Sequence, residues 1–181
     1  EFRFFSNAGF YFGFGIGLIQ MICWLVWHQS WMLPAFGGFV GFFSDWADKG
    51  QRIKDTLLHL VDEDTASFNA VMAAFALPKT TDEEKKLRSE AIEKANVYAT
   101  QVPLKVMQTA ASALPLLEAM LTDGNPNSIT DAGVGVHCTL TAVEGAYLNV
   151  RINASGLKNK ETAAQLLSEA RSVAEKNRSG A

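Results

Sequence analysis

The sequence predicts an all-α fold, a bundle of about five to six helices. Three observations carry this. Apolar residues recur at spacings of three and four, as in Leu57, Leu60, Val61, Phe68, Val71, Met72 and Phe75, which is the repeat of one helical face. Helix-start and helix-stop residues fall at the ends of such runs. No stretch alternates apolar and polar residues in the manner of a strand. At 181 residues the chain is long enough for a sizeable core, and it reads as a single domain, 1–181, without internal repeats.

The first segment stands apart. Residues 1–43 carry only two formal charges, Glu1 and Arg3, yet hold ten of the twelve Phe and three of the four Trp. From Asn7 to Trp27 no side chain is charged, a length that spans a bilayer, and Tyr11, Trp24, Trp27 and Trp31 would suit its interfaces. Three readings compete: a membrane anchor, a helix buried on all sides, or residues that are misassigned or foreign. A signal peptide is not expected, because the start lacks a basic region. Gly9, Gly13, Gly15 and Gly17 suit a close backbone approach.

Ser44-Asp45 is the first clear start signal and predicts a helix over 45–77, ended by Pro78. Thr80, Thr81 and Asp82 ahead of Glu83 and Glu84 make a capping-box pattern for a second helix that runs to about Val102. The acids of its first turn suit the helix dipole, and the glutamates of 82–93 read as a solvated face. Pro103 either opens a third helix or kinks a continuous one. That segment ends near Thr122, before the loop Asp123-Gly124-Asn125-Pro126-Asn127. Ser128 with Asp131 reads as a second capping box, for a helix reaching about Ile152. Its small residues Gly135, Cys138, Ala142, Gly145 and Asn149 share a face that another helix could approach closely. Val136, Leu140, Val143, Tyr147 and Val150 lie opposite. A last helix over 159–177 turns Ala163, Leu166, Leu167, Ala170 and Ala174 inward.

The charge balance excludes some functions. A formal net charge of -3 and a pI of about 5.6, with basic and acidic residues interspersed, leave no footprint for nucleic acid. Cys23 and Cys138 are far apart and His28, His59 and His137 lack ligand spacing, so no metal site and no disulfide framework is expected. A reducing, cytoplasmic compartment fits. No phosphate-cradling loop or nucleophile elbow is present. His59 and His137 read as structural.

Asp64 is the residue that calls for a role. It falls on the apolar face of the 45–77 helix, where an ionised carboxylate is costly unless paired or hydrogen-bonded. A solvated Asp at the edge of the stripe is the alternative. Asp131 is either a cap residue or a ligand-facing carboxylate. Asn149 and Asn153 either bridge packed helices or face a ligand, and Asn127 is either a loop former or a ligand contact. Lys79 and Arg151 could meet an anionic tail, or simply be solvated.

Three segments, LVDEDTASFNAVMAAFALPK from Leu60 to Lys79, GNPNSITDAGV from Gly124 to Val134, and EGAYLNVRIN from Glu144 to Asn153, together resemble the cyclodeaminase/cyclohydrolase family of folate enzymes. That family includes the C-terminal domain of formiminotransferase-cyclodeaminase and stand-alone bacterial relatives. The likeness covers about residues 43–175. It implies an all-α homodimer or higher homo-oligomer, a stand-alone form served by a separate formiminotransferase, no cofactor beyond the tetrahydrofolate substrate, and neither nucleic acid nor membrane as partner. The departure is at the start. Where the family has a Pro-Gly-Gly-Gly-Ser turn and a small-residue helix, Asn7 to Gly17 reads NAGFYFGFGIG. Phe and Trp in place of Ala would overfill a close helix interface, so residues 1–42 are expected to be misassigned or foreign.

The resemblance implies formimidoyltetrahydrofolate cyclodeaminase activity, closing the formimino group to the 5,10-methenyl bridge with loss of ammonia. The alternative within the family is methenyltetrahydrofolate cyclohydrolase, in which water reopens that bridge. On this reading Asp64 transfers the proton and Asp131 is its electrostatic partner, though the two roles could be exchanged. Asn127, Asn149 and Asn153 orient the pterin or the carboxylates, and Lys79 or Arg151 meets the glutamyl tail. A reading of another class is a non-enzymatic helical module anchored in a membrane by residues 8–31.

Overall fold

A computed structural model describes residues 32–179 as helices and short connections. The readings placed on residues 1–31, including the anchor and the glycine ladder, lie outside the described residues. The chain divides into two compact units, 1–48 and 49–181. The account below concerns the second, apart from the start of its first helix.

Among the described residues there are five α-helices: α1 (Met32–Ala76), α2 (Asp82–Ala111), α3 (Leu114–Asp123), α4 (Ile129–Ser155) and α5 (Lys160–Ser179), with a 3-10 turn at Pro126–Ser128 before α4. α1 begins well before the expected Ser44-Asp45 start. Pro34 falls in its first turn, where a missing N–H costs no helical bond, and nothing after it breaks the helix until the Leu77-Pro78 stop. The Thr81–Glu84 capping box is formed: the Glu84 N–H donates to Thr81 Oγ1 at 3.2 Å and the Thr81 N–H to Glu84 Oε2 at 3.0 Å.

The sequence left two options at Pro103, and the chain takes the continuous one: α2 runs through it to Ala111. The interruption comes at Ser112-Ala113, just ahead of Pro115, which has no N–H to offer the Ala111 carbonyl. The expected capping box at Ser128–Asp131 is not made, since Ser128 forms no side-chain cap bond. The side-chain cap here is Asn125, whose Oδ1 accepts the Asn127 N–H at 3.0 Å at the head of the 3-10 turn. That turn delivers the chain into α4.

α4 is the central helix and packs on α2, α5 and α3. The core joins Leu104, Met107 and Ala110 of α2, Val143, Ala146, Val150 and Ala154 of α4, Leu157 of the connection, and Ala163, Leu166, Ala170 and Ala174 of α5. Alanines on three facing helices allow close approach, and Met107, Val143, Val150 and Leu157 are wholly enclosed. α1 joins this layer through Leu57, packed against the core. An ion pair between Glu63 and Lys105 adds to it, as does Arg88, whose guanidinium donates to the Phe75 carbonyl at 3.0 Å.

The expectation of a solvated glutamate face on α2 fails at Glu93. Its carboxylate accepts the Lys158 and Asn159 N–H groups at 2.9 Å each and so pins the α4–α5 connection to α2. No sequence pattern hints at this, because the partners are backbone groups 65 and 66 residues away.

The small-residue face of α4 divides. A Cβ built on Gly135 would lie 2.7 Å from Leu117 Cδ2 of α3, so a close neighbour does occupy that position. At Gly145 nothing lies within 4 Å. The apolar face of α1 divides as well. Leu60 is buried, but Val61, Phe68, Met72 and Phe75 are between 50% and 63% exposed, as is Leu58.

Candidate functional site

Polar and apolar residues of three helices line a cleft of about 450 Å³. α1 contributes Asp64, Ser67, Phe68 and Val71. α2 contributes Asn96, Ala99 and Pro103. α4 contributes Asn149, Ile152 and Asn153, with Gly156 at its end. A second hollow of about 480 Å³ shares Asp64, Pro103 and Asn149 with the first. It continues against Leu57, Leu60, Val61, Val106, Ala142 and Ala146. The two form one groove of the size that small ligands occupy. One end is lined with carboxamides, the other with aliphatic side chains, and Asp64 and Asn149 stand at the join.

Asp64 is exposed, which corrects the expectation of a carboxylate forced into a core. Its neighbours Val61 and Phe68 on that face are themselves exposed, and its carboxylate has no hydrogen-bond partner among the described residues. Below it, Ser67 is buried and donates its hydroxyl to the Asp64 carbonyl at 2.8 Å. Asn153 is half-buried and held: its Nδ2 donates to the Ala99 carbonyl of α2 at 2.8 Å. Asn149, one turn earlier on α4, is exposed in the groove.

Glu63, next to Asp64 in sequence, sits on the α1–α2 seam. The hydrogen bond from Lys105 holds its carboxyl below the usual range, with the Lys105 charge and Tyr98 acting in the same direction against a smaller burial effect. This is a brace beside the groove; Glu63 does not line it.

The remaining candidates lie elsewhere. Asp131 is exposed in the first turn of α4. It is 18 residues from Asn149 on that helix, about 27 Å along the axis at 1.5 Å per residue. Within one chain, therefore, Asp131 does not share the groove with Asp64. Asn127 is exposed in the 3-10 turn and Lys79 in the α1–α2 connection. Arg151 is exposed, with its guanidinium 5.7 Å from the centroid of the Tyr147 ring. Asn96, Ser67 and Pro103 line the groove, though the sequence marks none of them as a site residue. Asn96 shows no motif of its own, and only its place on the same face of α2 as Ala99 and Pro103 could have flagged it.

Among the described residues no group of three or more His, Cys, Asp or Glu is placed to hold a metal. Nor is any helix among them long and apolar enough to cross a membrane.

Two long helices and a central helix around a groove lined by a carboxylate and carboxamides define an all-α helical domain with a candidate ligand cleft. The chain belongs to the formiminotransferase-cyclodeaminase family, whose profile matches residues 6–172. That match begins inside the segment that departs from the family's opening turn. Among curated proteins, the methenyltetrahydrofolate cyclohydrolase of Methylorubrum extorquens is 38% identical over 122 residues, 67% of this chain and 59% of the relative. The formimidoyltransferase-cyclodeaminase of Rattus norvegicus is 34% identical over 125 residues, 65% of this chain and 23% of the relative. That of Sus scrofa is 36% identical over 110 residues, 61% of this chain and 20% of the relative. The chain thus spans less than two thirds of each of these relatives.

Proposed function

We propose that this protein is an enzyme acting on the one-carbon bridge of a reduced folate. The observation that carries the reading is the place of Asp64 and Asn149 at the join of a polar and an apolar hollow. A reduced folate has the same division: a pterin rich in donors and acceptors, then an aminobenzoyl ring, with the reacting carbon on the nitrogens between them. With the pterin beside Asn96 and Asn153, and the ring against Leu57, Leu60 and Val106, that carbon comes beside Asp64. Since both reacting groups belong to one bound molecule, the enzyme's task is proton transfer and charge stabilisation.

Of the two family reactions, hydrolysis of the 5,10-methenyl bridge is favoured. The Methylorubrum relative, named for it, is the one of which the chain covers the larger share. Asp64 takes a proton from water as the oxygen bonds to the methenyl carbon. The bond from that carbon to N5 then opens, N5 keeps the electron pair and takes a proton, and a formyl group stays on N10. One water is consumed and one proton released. Cyclodeaminase chemistry is the second reading, supported by the names of the rat and pig relatives. In it a separate formiminotransferase supplies the substrate and Asp64 protonates the departing amine.

The electrostatic role of Asp131 is assigned to the groove of a second copy, with Asn127 four residues before it. Lys79 or Arg151 is assigned to the glutamyl tail. The exposed stripe Leu58, Val61, Phe68, Met72 and Phe75, spaced three, seven, four and three, is the pattern by which one helix packs on another, and it supports a homodimer. The same reading places the enzyme in the cytoplasm. The test runs two assays on one preparation: loss of the methenyl compound, and release of ammonia from the formimino compound. Turnover of the first alone fixes the cyclohydrolase, turnover of the second the cyclodeaminase, and turnover of neither overturns the reading.

A further inference from the structure

In a helix each carbonyl accepts the N–H of the residue four positions on. For Ala99 of α2 that residue is Pro103, which has no N–H, and α2 nonetheless continues through it. The Ala99 carbonyl belongs to a half-buried residue and lacks its helical donor, a costly state if left unmet. The donor comes from α4: Asn153 Nδ2 reaches the Ala99 oxygen at 2.8 Å. All three residues line the groove.

The contact also settles which way the carboxamide points. A carbonyl oxygen only accepts, so the end of Asn153 that touches it is the nitrogen. The opposite end, Oδ1, is then an acceptor of fixed direction. We propose that Pro103 is a positioning residue: by leaving the Ala99 carbonyl without a helical donor, it recruits Asn153 and fixes that side chain with Oδ1 as the acceptor offered to an N–H of the bound ligand. The activity arm of the test rests on the folate reading above; the structural arms do not.

The experiment is a cycle of Pro103→Ala, Asn153→Ala and the double variant in the full chain. Asn153→Ala strands the carbonyl and lowers Tm by roughly 3–8 °C. The Pro103→Ala change supplies an N–H to the same carbonyl, so in the double variant most of that loss is regained. In the Pro103→Ala protein the Asn153 side-chain amide, followed by NMR, loses its slow hydrogen exchange. With the methenyl substrate, Pro103→Ala and Asn153→Ala each raise KM by about tenfold, the worth of one hydrogen bond to the ligand. The double variant goes no further, and kcat stays near wild type. Additive Tm changes, or an Asn153 amide equally protected in the wild-type and Pro103→Ala proteins, overturn the proposal. So does a KM that worsens further in the double variant, because the two residues would then act separately. If the wild-type protein turns over neither folate substrate, the folate reading fails, while Tm and amide exchange still decide whether Pro103 positions Asn153.

Discussion

Asp64 stands where two hollows meet, open to solvent, with its own helix providing nothing to neutralise or hold it. Its spacing among apolar neighbours made it visible in the sequence, but the reason first attached to it, burial, is not the one the structure supplies. What singles it out is the groove. Asp64→Asn is expected to lower kcat by roughly a hundredfold or more if it moves the proton, with an unchanged Tm because no structural bond is lost; near-normal kcat rules the role out. Asn149 and Asn153 were legible as a motif, while Asn96 and Ser67 were not, since single polar residues in a helix look alike until the neighbouring helix is in place. Glu93 shows the same limit. The N–H of Asn159, then that of Lys158, pulls its carboxyl below the usual range against the effect of burial. A depressed pKa in the folded state adds stability above the unfolded pKa, and that stability is lost as pH falls through the folded value. Glu93→Gln is therefore expected to unfold at lower urea at neutral pH and to show a shallower loss of stability in acid. An acid limb as steep as that of the wild type contradicts the clamp.

At the scale of elements, breakers were easy to see and hard to weigh. Pro103 and Pro115 are both prolines in apolar helical surroundings, yet α2 passes through the first and stops before the second. The difference is tertiary: Asn153 of α4 meets the carbonyl that Pro103 leaves open, and among the described residues no such side chain meets the one left by Pro115. The Thr81–Glu84 box was legible because both of its bonds are local, whereas Ser128–Asp131 has the right letters and is replaced by the Asn125 turn. The glycines of α4 were read as one surface but differ in what faces them. Gly145→Ala, with open space around the new methyl, is expected to stabilise the isolated protomer by about 0.5–1 kcal/mol through helix propensity. Gly135→Val, pressed on Leu117, is expected to destabilise it by about 1–3 kcal/mol. Equal midpoints in urea for the two variants contradict this division.

For the whole molecule, the all-α class and the inward face of α5 followed from periodicity alone, because a regular repeat fixes a regular surface. Which apolar face remains uncovered did not follow, since burial depends on partners that a pattern does not name. In the proposed reading, the exposed stripe on α1 and the distance from Asp131 to the groove call for a second copy of the chain. If Asp131 serves the partner's groove, Asp64→Asn and Asp131→Asn proteins are each inactive, and a refolded equal mixture regains about a quarter of wild-type activity. Random pairing makes half the dimers mixed, and each of these has one intact site of two. No recovery in dimers shown to be mixed places Asp131 outside the reaction. Met72→Asp, on the stripe but outside the groove lining, is expected to shift the protein to a monomer in sedimentation.

One carbonyl with two possible donors also has a bearing on how such chains can vary. Position 103 and position 153 form a linked pair 50 residues apart. A chain that exchanges the proline for an ordinary residue satisfies Ala99 from within α2 and frees its asparagine to drift, whereas one that keeps the proline is bound to keep a side-chain donor across from it.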